Sequence, residues 1–534
     1  MSANEKKILS RRQFLVFAGT GMVATALAAC APAAPTPEPT RASEAKATEA
    51  PKAEPTVEPT KAAPPVVEVN YYFLAWGPMN DVGVVQDEMS KLTKERIGAT
   101  VKLVPMDWSA FNEKLKLALA AGENIDTMFT CTWANDFYAN VRNGVLVALD
   151  ELLPKYAPKY WASIKPAIWE AGKVKGKLYG AINQQVWANI NGFDIRKDVV
   201  EKLAYDVKTL TDLDSYDPFF QAIKDKMQGM YPTGWFNSNE SPTWWSGMWR
   251  LDSPGPATMM YWDDKSTKLG LPWEFPEFKR AIDIARRWYT AGFLPAEPTS
   301  GEDFVAGMKA GQYACVPINW AKPGRDSEDK AKYGFDFLNI GITAYSGPMV
   351  TTGTVNPTMN GIVKTCKNTD RAAMLFELWN SDVEAYNLIC KGVEGKHWVW
   401  VDKARKVIGF PEGITPETSK YNPNTDWMFG NQFNAYYVDK AQADGDVWNA
   451  TRKLNEGAGI SEAMGFAFVQ DPVANELAQV TAAEKEAGEP LTQGRIDPAT
   501  GLQQYIDKMK AAGAEKVFAE VKKQFEEWQA SKKG

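Results

Sequence analysis

Apolar positions first settle into a readable rhythm at Val66–Phe73, where β-branched and aromatic residues crowd into a strand-like run. Val85, Met89 and Leu92 then recur at helical spacing, and Thr100–Val104 reads as a second strand. Ser109 is the expected N-cap of a helix carrying Phe111, Leu115 and Ala118 and stopping near Gly122. Asp126–Cys131 gives a third strand, followed by a helix with Phe137 and Val141 that ends at Gly144. Strands alternating with helices predict a parallel sheet covered on both faces, and hence an α/β fold. Further along, Tyr313–Ile318, Phe335–Ile342 and Gly361–Thr365 read as strands, and Phe278, Ile282 and Ala285 mark a helix. The C-terminal end is helical, with Leu502, Tyr505 and Met509 on one helix and Val517, Val521, Phe525 and Trp528 on the last.

Ahead of this pattern the polarity is different. Lys6, Lys7, Arg11 and Arg12 precede the apolar stretch Phe14–Ala29, which ends in Leu27-Ala28-Ala29-Cys30. That order is an export signal over residues 1–29, and it is too short to span a bilayer. A cysteine at the cleavage point resembles the lipobox of bacterial lipoproteins, with Cys30 as the lipid-bearing residue; the paired arginines resemble a twin-arginine signal. Residues 31–65 are dominated by Ala, Pro, Thr, Glu and Lys and contain no aromatic. Such a segment buries too little to fold, and at ~3.1 Å per residue it is a spacer of up to roughly 100 Å. The chain is therefore expected on the outer face of a cell membrane, tethered by its lipid.

The remaining length suits two to three packed domains. Net charge is -6 for the whole chain, and residues 1–29 are net positive, so the rest is more acidic still. An acidic body argues against nucleic acid as a partner. Cys131, Cys315, Cys366 and Cys390 show no CxxC spacing and read as small buried hydrophobes.

Each of the three N-terminal strands runs into a tryptophan: Trp76, Trp108 and Trp133. Asn319 and Trp320 follow the strand at Tyr313 in the same way. In open α/β sheets, ligands sit beyond the carboxyl ends of the strands, so these rings are candidates to line one cleft. Flat aromatic faces suit the C–H faces of a sugar, and the amides of Asn183, Gln184 and Gln185, at the expected crossover between lobes, suit its hydroxyls. Taken singly, any of these tryptophans reads as core. Trp235, Trp244, Trp245 and Trp249 form a second cluster, read as a lobe core with Trp235 kept as a ligand candidate.

The stretches Asp126–Asn135, Gly144–Asp150, Gly176-Lys177-Leu178-Tyr179, Asn183-Gln184-Gln185, Gly392–Trp398, Trp427–Asn431 and Gly465–Phe468 resemble family 1 extracellular solute-binding proteins of ABC importers, particularly LipO-like lipoproteins. The resemblance implies a two-lobe, type II periplasmic-binding-protein-like fold with hinge strands. Lobe 1 would comprise 66–182 plus about 341–395, and lobe 2 about 183–340 plus 396–534. It also implies a monomer that captures a carbohydrate and passes it to an ABC permease, with no cofactor.

Enzyme readings have little to stand on. His397 is the single histidine, so no His-dependent triad or HExxH site is available. No P-loop, GxSxG, dinucleotide fingerprint or calcium loop is present. A glycosidase built on two carboxylates stays open, with Glu240, Asp263 and Asp264 as its candidates. A carbohydrate-binding lipoprotein without a transport role is the other alternative.

Overall fold

The computed structural model describes residues 65–235 and 241–533. Cys30, the spacer and Glu240 lie outside them. The expected alternation holds as β1 (Val67–Leu74), α1 (Val82–Ile97), β2 (Ala99–Met106), α2 (Trp108–Ala120) and β3 (Thr127–Thr130). β1 lies between β2 and β3 and runs parallel to both, with Val67 opposite Ala99 and Tyr71 opposite Thr127. Val69, Tyr71 and Phe73 are buried, as is the following Leu74, because helices cover both faces of a central parallel strand. Val85 and Met89 seat α1 on this sheet, and Gly98 ends the helix with φ 64°, donating its N–H to carbonyls of the last turn.

The cap of α2 differs from expectation. Asp107, not Ser109, accepts the Ala110 N–H, and the Ser109 hydroxyl donates to Asp107. Either residue type caps well, so the helix simply begins two residues earlier, with Trp108 as its first residue.

The first sheet is completed by β4 (Ala181–Ile182). The chain then crosses to a second sheet built from β5 (Gly192–Arg196), β6 (Tyr231–Thr233), β7 (Tyr313–Ile318) and β8 (Phe337–Gly341), and returns as β9 (Met359–Ile362). The orders are β2-β1-β3-β9-β4 and β8-β5-β7-β6, with β9 antiparallel to both of its neighbours. A third crossing lies at Gly459–Ile460, which pairs in parallel with Met349–Val350, while Asn189 bridges to Met349. Three crossing segments thus lie side by side.

Each sheet has its own core. The first gathers Tyr71, Phe73, Phe111 and Ile182 with Trp379 and Tyr386; the second gathers Phe193, Ile195, Phe219, Phe220 and Trp288. Helix α3 (Pro276–Thr290) serves two cores. It gives Ala281, Ile284 and Trp288 to the second sheet, and Phe278 and Ile282 to a block that includes Tyr505 and Met509 of α4 (Pro498–Ala511) and Val517, Val521 and Phe525 of α5 (Ala514–Lys533). One expected boundary moves. Tyr421, Met428, Phe429 and Ala435 belong to the first core, so the chain stays with the first lobe well past residue 396. These residues lie largely in irregular backbone, which has no period to read. Cys131, Cys315, Cys366 and Cys390 are free and buried, as expected.

Beneath the second sheet, β5 carries a buried acid. Asp194 accepts from Asn339 Nδ2 at 2.6 Å, and Arg325 Nε lies 3.3 Å from Asp194 and 3.2 Å from Asp329. One guanidinium serves two buried carboxylates. Burial, then the neighbouring Asp329, raises Asp194 from its ordinary value to about 9. A carboxyl whose folded pKa is raised contributes stability that is fully present below its unfolded pKa and lost as pH rises through the folded one. Stability from this group is therefore expected to decline from just above the ordinary value of 3.8 up to about pH 9. Asp194→Asn should flatten that decline, as measured by urea unfolding at stepped pH.

Candidate functional site

Trp76, Trp108 and Trp133 lie beyond the carboxyl ends of β1, β2 and β3. They are 52 %, 51 % and 38 % exposed, a large apolar display for a folded chain. A fourth ring joins them. Trp76 lies 5.4 Å from Trp427, Trp427 5.8 Å from Trp133, and Trp133 5.5 Å from Trp108, centroid to centroid. The four indoles form one row, and buried Phe129 supports its middle at 5.8 Å from Trp133 and 5.9 Å from Trp427.

The row is held by backbone and amide bonds rather than by its own packing. Within the loop after β3, Thr130 Oγ1 and Asn140 Nδ2 donate to the Asn135 carbonyl at 2.6 and 2.8 Å, and Asn135 Nδ2 donates to the Phe129 carbonyl. Asn135 has φ 50°, a left-handed conformation that asparagine tolerates better than most residues. Trp133 Nε1 donates to the Pro357 carbonyl at 2.9 Å, which fixes the ring to the second crossing segment.

Trp427 is presented by a clasp. Trp76 N–H donates to Pro423 O at 2.9 Å, Asn422 N–H to Pro78 O at 2.8 Å, and Asp81 N–H to Lys420 O at 2.8 Å. Thr425 Oγ1 closes the clasp on Leu74 O at 3.1 Å. The two chains approach so closely at Gly77 that a Cβ there would stand 2.1 Å from Asn422 O.

The sequence-derived amides separate. Asn183 is buried, donating to Met428 O at 2.9 Å while its Oδ1 accepts from Asn360 Nδ2 and Gly430 N–H at 2.8 and 3.0 Å. Gln184 Nε2 is spent on Ser163 and Asn380. Both amides tie the first lobe together instead of facing a ligand, which corrects their assignment as ligand-binding groups. Gln185 is half-buried and donates to Thr358 Oγ1 at 3.0 Å, one residue from the carbonyl that anchors Trp133.

Asn319 and Trp320 are half-buried after β7, on the second sheet, so they are not part of the row. Trp235 is fully buried in the second core and is withdrawn as a ligand candidate. Trp249 is buried as well, stacked 4.5 Å from Tyr345, and Trp244 packs edge-on against Phe278. Trp427 was missed as a site residue because no period or strand end marks it.

The carboxylates are occupied elsewhere. Asp263 accepts from Arg250 Nε at 2.7 and 3.0 Å, and Asp264 from the Ser266 N–H and hydroxyl. His397 is buried in a turn, where Nδ1 accepts the Val393 N–H at 2.9 Å and burial lowers the ring's pKa. Among the described residues, no three His, Cys, Asp or Glu side chains converge as metal ligands.

The family model described as "Bacterial extracellular solute-binding protein" matches residues 89–392, and a domain of unknown function (DUF3502) matches 462–530. The first match spans more than half of the chain, which therefore belongs to the bacterial extracellular solute-binding proteins. A carbohydrate ABC transporter substrate-binding protein of Streptococcus pneumoniae is 23 % identical over 459 residues, covering 83 % of this chain and 87 % of the relative. A solved N-glycan transport solute-binding protein from the same organism is similar at 21 % identity and TM-score 0.77, over 88 % of this chain and 100 % of that one. Its complex with Man5GlcNAc aligns at 0.66, at 21 % identity over 88 % and 99 %. The expected two-lobe α/β fold with a helical C-terminus stands on these likenesses.

Gly77→Ala should force the clasp apart. The expected cost is about 1–3 kcal/mol, by analogy with overpacked cores, read by chemical denaturation together with a change in tryptophan fluorescence.

Proposed function

We propose that this protein is the membrane-tethered, substrate-capturing component of an ABC importer, and that its substrate is an oligosaccharide. The observation that carries the reading is the indole row, in which three exposed rings flank the half-buried Trp427. Its three ring-to-ring steps of 5.4–5.8 Å give a ribbon longer than one ring, suited to successive sugar units stacked by their C–H faces. Gln185 supplies an amide beside the row, and Asn319 and Trp320 supply contacts from the facing lobe. The carbohydrate transport relatives support the same ligand class.

Capture follows from the two lobes and their three crossing segments. A sugar bound to both lobes favours the closed arrangement only by binding it better than the open one, and the closed form is what a permease would receive. The protein acts outside the cytoplasm, as its family implies, with Cys30 as the lipid-bearing residue and residues 31–65 as the spacer. It returns its ligand uncut, as the capture component of an importer must.

Trp133→Ala and Trp427→Ala should each weaken oligosaccharide binding roughly tenfold, about 1.4 kcal/mol, with little change in melting temperature. Titration calorimetry reads the affinity, and reducing-end assays of the recovered sugar should show no cleavage. Unchanged affinity in both variants, or new reducing ends, would overturn the reading. Cys30→Ala should move the protein from the membrane fraction to the medium, and lipid labelling that persists in the variant would remove the anchor.

A further inference from the structure

Asn112 links the two segments that carry Trp108 and Trp133. It lies one helical turn beyond Trp108 on α2, and residues four apart share a helix face, with side chains leaning toward the N-terminal end where Trp108 stands. Its Oδ1 accepts the Asn135 N–H at 2.8 Å. Asn135 follows Trp133 by two residues in the loop after β3. The carboxamide therefore ties helix to loop at the place where the two indoles approach to 5.5 Å.

That bond fixes which way the amide faces. A backbone N–H can only donate, so the atom it meets is the carbonyl oxygen and not the NH2 group. Nδ2 is left on the other side of the carboxamide with two N–H donors. Among the described residues no protein acceptor takes either of them, and Asn112 is exposed. The neighbouring donors are spent inward: Asn135 Nδ2 on the Phe129 carbonyl, Asn140 Nδ2 on the Asn135 carbonyl and Trp133 Nε1 on the Pro357 carbonyl. An ordinary surface asparagine turns freely and gives up that freedom when it binds a ligand. Asn112 is already ordered through its oxygen, and its donors face solvent at the rim of the aromatic row.

Two N–H donors beside two indole faces define what fits there. The faces take the C–H side of a sugar ring, and the amide takes an acceptor oxygen on that ring's edge.

We propose that Asn112 is a specificity-determining contact of this site, its Nδ2 donating to an acceptor oxygen of the sugar unit stacked at the Trp108–Trp133 end of the row. The contact rests on the row being an oligosaccharide site. It gives Asn112 a direct part in recognition, beyond its part in holding the loop.

Asn112→Asp separates the two roles, because the carboxylate has nearly the same shape, keeps an oxygen for the Asn135 N–H and carries no donor. Calorimetry of the mature chain with maltotetraose, mannotetraose and chitotetraose is the measurement. At least one of them should bind wild type. For that sugar Asn112→Asp should lower the affinity about tenfold, as expected when a hydrogen bond is lost and acceptor meets acceptor. The melting temperature and tryptophan emission of the sugar-free variant should match wild type. Asn112→Ala, which also loses the bond to the loop, should bind no better than Asn112→Asp. If Asn112→Asp binds like wild type while Trp133→Ala loses affinity, the contact is refuted and the row stands. Loss of affinity in Asn112→Ala alone, or an altered emission spectrum in sugar-free Asn112→Asp, would make the residue a positioning group and refute the contact. If wild type binds none of the three sugars, the oligosaccharide reading falls and the contact with it.

Discussion

The backbone clasp between residues 76–81 and 420–425 is the constraint on which the candidate site depends. Without it Trp76 would be a lone exposed ring and Trp427 would have no fixed place. With it, two segments more than three hundred residues apart in sequence are bonded N–H to carbonyl, and four indoles stand in a row. The contact is dense enough at Gly77 to exclude even a methyl group. Exposed apolar rings gain nothing by pointing at water, so their orientation has to be imposed by groups behind them. Here those groups are main-chain carbonyls and the asparagine network of the loop after β3.

Much of the first sheet was legible because its strands and helices obey their periods: Val69, Tyr71 and Phe73 on β1, Val85 and Met89 on α1, Phe111 and Leu115 on α2. The rule that ligands gather beyond strand ends then located three of the four ring positions. What escaped the sequence was long-range pairing. Trp427 sits in irregular backbone, and nothing local announces that Pro423 and Lys420 will meet Trp76 and Asp81. Composition also could not tell a bonded amide from an unbonded one: Asn183 and Asn189 are the same residue on the same crossing segment, yet one is bonded to Met428, Asn360 and Gly430 while the other's Oδ1 is buried without a partner.

That difference divides the labour along the hinge. Amides near β4 are committed to the first lobe, where they lock β9 and the Met428–Gly430 segment against the end of the sheet. Amides nearer β5 are left with unused capacity.

The three crossing segments also bear on mechanics. A single connecting strand would permit the halves to swivel about its length as well as to fold. Here Met349–Val350 and Gly459–Ile460 pair as short strands and Asn189 joins them through one bridge to Met349, so the three crossing segments resist such torsion together. Because α3 shares its faces between the second sheet and the C-terminal block, the two are built as one rigid unit through a single helix.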